Sequence, residues 1–152
     1  MQNKGDLYPT LFEQLKSLVV AEEDRISNMA NFSAALKSTF GFLWVGFYLV
    51  KGDYLILGPF QGPVACTRIP RNKGVCGKSW SKNETIVVDN VHEFPGHIAC
   101  NAAANSEMVI PISKEGKVIG VLDIDSDELD YFDDLDQKWL EKICTWFASV
   151  IS

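Results

Sequence analysis

Two stretches of the chain read as pairs of strands closed by tight turns. The first is FLWVGFYLV, the turn KGD and YLILGPF, residues 42–60. The second is EMVIPIS, the turn KEGK and VIGVLDID, residues 107–125. Apolar and β-branched runs returning across short Gly-containing turns are β-hairpins. A chain whose strands arrive mainly as hairpins builds a largely antiparallel sheet, and such a sheet needs helices or loops to cover its apolar surface.

The rest of the chain supplies that cover. Leu7, Leu11, Leu15, Leu18 and Val19 form one helical stripe. Ile26, Met29, Phe32, Leu36 and Phe40 form a second, ending at Gly41. ACTRIP and TIVVDNV read as short strands, and GVCGKSWSKNE as a short helix or loop. A closing helix over DDLDQKWLEKICTWFASVIS puts Leu135, Trp139, Ile143, Phe147 and Val150 on one face. The expectation is a single α+β domain over residues 1–152: a mostly antiparallel, six-stranded sheet with the N- and C-terminal helices packed on one face. Residues 66–106 then form a lid over the other face, and loops on a rigid scaffold are where function concentrates.

With 47% hydrophobic and 22% charged residues the composition is that of a folded protein. A net charge of −6 argues against nucleic acid as a partner. Residues 1–17 contain Asp6, Glu13 and Lys16 and no uninterrupted apolar run, so no secretory signal is expected. No apolar run approaches the length of a membrane span. The expected location is cytoplasmic, where the four cysteines would be reduced by default.

Three of those cysteines, Cys66, Cys76 and Cys100, fall in the lid segment; Cys144 falls on the closing helix and reads as a packing residue. The three allow three accounts. They are small core residues, or zinc ligands together with His92 or His97, or redox thiols. Their separations of ten and twenty-four residues lack the close pairs of a structural zinc site, and no metal is expected. Redox chemistry needs one thiolate and a second thiol to resolve its oxidised product. Cys76 lies between Lys73 and Lys78, and Cys100 follows His97 by three residues, so either has a local reason for a lowered thiol pKa.

Asp123 and Asp125 are two apart on a strand and share one face. An EF-hand fails, because Glu128 occupies the glycine position, Asp134 the twelfth, and no helix precedes. Counting back from the KEGK turn brings Glu107 opposite the Asp123–Asp125 region. Three converging acids should raise at least one carboxyl pKa. On the preceding hairpin Phe42, Trp44, Gly46 and Tyr48 share one face, and Leu43, Val45, Phe47 and Leu49 the other. The aromatic set suits either a pocket or the second face of a buried strand, and periodicity does not separate the two.

The ordered motifs LWVGFYL, GPFQGPVACTRIP, GVCGKSW, FPGHIACNAAANSEMVIPI and VIGVLDIDSD resemble the free methionine-(R)-sulfoxide reductases, proteins of GAF fold, over essentially the whole chain. The resemblance implies a closed small pocket on the loop-covered face. It implies an oxidoreductase that reduces free L-methionine (R)-sulfoxide through a cysteine sulfenic acid and a disulfide, regenerated by thioredoxin without a cofactor. In that reading Cys100 attacks sulfur, Cys66 is the principal resolving thiol and Cys76 an auxiliary one. Trp44 and Tyr48 seat the substrate methyl, and Glu107, Asp123 and Asp125 form the polar wall. A homodimer is admitted but not required. The rivals are a non-catalytic GAF module that binds a small ligand and a thiol redox sensor.

Overall fold

The computed structural model of the chain describes residues 3–100 and 102–151. Helices α1 (Lys4–Leu18) and α2 (Arg25–Phe40) are followed by strands β1 (Trp44–Lys51), β2 (Tyr54–Gln61) and β3 (Arg68–Pro70). Then come α3 (Gly74–Lys82), β4 (Ile86–Val88), a single 3-10 turn (Val91–Glu93), β5 (Ser106–Lys114), β6 (Lys117–Ser126) and α4 (Asp134–Val150). The strands form one sheet in the order β3-β2-β1-β6-β5-β4, every neighbouring pair antiparallel. Both expected hairpins are present, and their outer neighbours are the two short strands. The chain adopts the expected α+β arrangement around a six-stranded antiparallel sheet.

Helix ends follow local chemistry. The Asp24 side chain accepts from the Ile26 N–H, and Gly41 closes α2 in the left-handed conformation. Asp133 and Asp136 form a reciprocal capping box at the start of α4. Asp136 is fully buried and also accepts from Tyr8 Oη at 2.6 Å and from Lys4 Nζ at 2.5 Å. A buried carboxylate without such partners would be costly. The pair of contacts therefore ties α1 to α4 across the fold.

The sheet separates two apolar layers. One is walled by α1, α2 and α4 against Val45, Phe47, Met108, Ile110, Leu122 and Ile124. The other contains Trp44, Tyr48, Val109 and Val121 and is covered by loops and by α3, whose Val75, Cys76 and Trp80 are buried against it. The segment GVCGKSWSKNE is therefore mostly helix and belongs to the lid side.

Several stripes differ from expectation. On α4 the deepest line is Asp136, Leu140, Ile143, Cys144 and Phe147, with Trp139 and Val150 only partly buried. On α1, Tyr8 and Phe12 enter the core while Leu18 is exposed, and Ile26 of α2 is exposed as well. Phe42 packs in the helix-covered layer against Phe40 and Phe132 instead of sharing the Trp44 face. It precedes β1, so strand alternation does not govern it.

Candidate active site

The period-two geometry of β6 and its two neighbours builds the acidic wall. Asp125 lies opposite Trp44 on β1 and Glu107 on β5; Asp123 lies opposite Gly46 and Val109. Glu107 and Asp123 are buried and Asp125 partly so. The three carboxyls lie close enough together that each perturbs the ionisation of the others. Burial, followed by the charge of Asp125, pushes Glu107 up to about 8. Burial followed by Glu107 raises Asp123, and burial followed by Asp123 raises Asp125. The wall therefore carries a carboxylic acid proton at neutral pH. One of its acceptors, Asp123 Oδ1, is buried without a hydrogen-bond partner.

Cys76 projects from the first turn of α3 onto this wall, its Sγ within 4.8 Å of carboxyl oxygens of Glu107 and Asp123. Burial and the charges of Asp123, Glu107 and Asp125 hold that thiol well above its ordinary pKa. This corrects the expectation that Lys73 and Lys78 make it acidic. Lys78 is spent at the surface, donating to the Pro95 carbonyl at 3.0 Å and lying over the Phe94 ring. Tertiary acids decide the state of Cys76, not its neighbours in sequence.

Cys66 and Cys100 form a disulfide, with Cα atoms 5.3 Å apart and 34 residues between them in sequence. It joins the β2–β3 loop to the loop before β5. The first loop is held by β1: Trp44 Nε1 donates to the Pro63 carbonyl at 3.0 Å, and Tyr48 Oη donates to the Cys66 carbonyl at 2.8 Å. The two rings thus present apolar faces to the cavity and polar tips to the cysteine loop. The second loop turns through Pro95 and Gly96 and seats Ile98 against Gly74, whose absent side chain leaves room for it. The run ACNAAANS continues from there; Asn101 lies outside the described residues.

Gly46 is needed for the aromatic stack. A Cβ there would fall 2.3 Å from Phe60 Cβ and 2.8 Å from its Cα. Phe60 stacks on Trp44 at 5.2 Å between ring centroids. Replacing Gly46 with Ala is expected to destabilise the fold by about 1–3 kcal/mol. A urea unfolding midpoint unchanged from the parent protein would contradict that expectation.

Sequence reasoning did not place His97. Its Nε2 is 3.4 Å from Glu107 Oε1, and burial lowers its pKa, so the ring is neutral and oriented by the wall. The other histidine is structural: His92 Nε2 pairs with Asn105 Oδ1 at 2.9 Å at the base of the loop. Cys144 is buried among the helices, as expected of a packing residue. The hollow bounded by Trp44, Tyr48, Cys76, His97, Cys100 and the three acids measures about 40 Å³. A single water needs about 10–15 Å³ on that measure, so the hollow is larger than a one-water void.

A profile of the GAF domain family matches residues 27–152. The chain is 41% identical over 151 residues to the free methionine-R-sulfoxide reductase of Escherichia coli, with 99% of this chain and 92% of that protein covered. This chain belongs to the free methionine-R-sulfoxide reductase family. It is also 50% identical over 142 residues to GAF domain-containing protein A of Dictyostelium discoideum, covering 93% of this chain and 90% of the relative. An X-ray structure of the family's Neisseria meningitidis reductase, in complex with its substrate, matches with a TM-score of 0.94 and 46% identity. That match covers 98% of this chain and 90% of the other. The family is one of oxidoreductases, and no helix among the described residues is long and apolar enough to cross a membrane.

Proposed function

We propose that the protein reduces free L-methionine (R)-sulfoxide to L-methionine, with Cys100 as nucleophile and Cys66 as resolving thiol. The observation that supports this reading most directly is the meeting of a Cys66–Cys100 pair with a protonated acidic wall around one hollow. A sulfoxide sulfur becomes electrophilic when its oxygen accepts a proton, and a carboxyl of the Glu107–Asp123–Asp125 set supplies it. The Cys100 thiolate then attacks the activated sulfoxide; the substrate's S–O bond breaks, methionine leaves with the electron pair on its sulfur, and the oxygen stays on Cys100 as a sulfenic acid. The Cys66 thiol condenses with the sulfenic acid, forming the disulfide and releasing water. Thioredoxin, a cytoplasmic dithiol, returns two electrons and two protons by exchange.

Trp44 and Tyr48 offer apolar faces to the substrate methyl group, and the acids meet its polar end. A peptide-bound residue lacks the ammonium and carboxylate of the free amino acid, so a site built for those charges discriminates against it. Cys76, held protonated, serves as an auxiliary thiol. The direct test supplies free and peptide-bound R and S sulfoxides with thioredoxin and follows methionine. Catalytic loss of the free R form alone is expected. One oxidation per molecule without further methionine would instead make the protein a redox sensor.

A further inference from the structure

We propose that the oxidised protein binds one thiophilic divalent cation, with zinc as the representative ion, through Cys76 Sγ, Glu107 and Asp123. The three donor atoms lie within 4.8 Å of one another and all three residues are buried. Tetrahedral zinc with bonds of about 2.0–2.3 Å needs donor separations of about 3.5 Å, which small side-chain rotations supply. A second observation points the same way. Asp123 Oδ1 is buried with no hydrogen-bond partner, although the residue sits at the wall of the hollow. A buried carboxylate oxygen in that condition is short of a positive partner.

The donor set selects the kind of ion. One sulfur with two carboxylates favours zinc over calcium or magnesium, which take oxygen alone. The hollow these donors border has room for an ion with a bound water. Three protein donors leave a fourth position facing the hollow, and His97 stands beside Glu107 as its nearest nitrogen. On binding, the thiol proton of Cys76 and the carboxyl proton that the wall carries at neutral pH are both released to solvent as the bonds to the metal form. The Cys66 and Cys100 sulfurs are bonded to each other and take no part.

Zinc held there would cover the acids that the proposed chemistry uses, and so inhibit it. That consequence rests on the reductase reading; the metal site does not. The test therefore reads binding. Protein oxidised to the Cys66–Cys100 disulfide is titrated with zinc chloride against a chromophoric chelator. One equivalent is expected to bind, with affinity weakened at least about 100-fold by Cys76→Ser and by Asp123→Asn. Cys144→Ser is expected to bind as the parent does. X-ray absorption of the zinc-loaded parent protein should show one sulfur near 2.3 Å. No bound zinc, or zinc with no sulfur in its shell, overturns the proposal whether or not the variants fold. Zinc binding without sulfoxide turnover would uphold the site and reject the reductase reading.

Discussion

Replacing Cys100 with serine is expected to remove turnover of free methionine sulfoxide, by at least about a thousand-fold, because a hydroxyl does not substitute for a thiolate toward sulfur. Cys66→Ser should behave differently. Its sulfenic acid on Cys100 still forms, so one equivalent of methionine per protein is released and a dimedone adduct accumulates at residue 100. Substantial cycling in Cys100→Ser would transfer the nucleophile's role to Cys76. The structure sets a high barrier to that transfer, since Cys76 is buried among three acids that keep its thiol protonated. Following methionine release by chromatography, in a burst and over many cycles, separates these outcomes.

The second large effect is expected at the acidic wall. Glu107→Gln is expected to lower kcat/KM by about 10²–10⁴, the range of a lost general acid, and Asp125→Asn to act in the same direction. In the parent protein the rate should decline as pH rises through about 8, where Glu107 gives up its proton. Stability should move the opposite way on substitution. Glu107 titrates at about 8 in the folded protein against an ordinary 4.5, so folding takes up a proton between those values. Its contribution to stability is full at pH below 4.5 and is lost as pH rises toward 8, by up to about 1.4 kcal/mol per pH unit for one proton. Glutamine has no charge to desolvate. Melting temperatures of Glu107→Gln are therefore expected to gain on the parent as pH increases. A variant that is inactive because it is unfolded at every pH would assign Glu107 a structural role instead.

Much of this arrangement is legible before any coordinates. The hairpin turn brings β5 beside β6 and the alternation puts Asp123 and Asp125 on one face, but counting from Lys114 and Lys117 alone would set Glu107 opposite Ile124; the register shift at Ile112/Ser113, which the sequence does not announce, sets it opposite Asp125. The same alternation puts Trp44 and Tyr48 beside them. What was illegible depends on contacts between distant segments. Cys76 has lysines near it in sequence, but the packing of α3 against the sheet surrounds it with carboxyls and reverses the sign of its environment. His97 meets Glu107 only because the loop before β5 folds back across the strand ends. The burial phase of α4 is likewise set by what α1 brings to it, with Asp136 drawn inside by Tyr8 and Lys4. A helical stripe read from hydrophobicity alone leaves such an acid on the outside.

The hydrogen bond from the Trp44 indole to the Pro63 carbonyl has a practical corollary. The ring is stacked on Phe60 and Tyr48, and its N–H grips the very loop on which Cys66 rides. Any displacement of that loop during the catalytic cycle alters the polarity felt by this chromophore. Trp44 is thus a native optical gauge of the cycle, readable in stopped-flow emission once the other three tryptophans are replaced by phenylalanine.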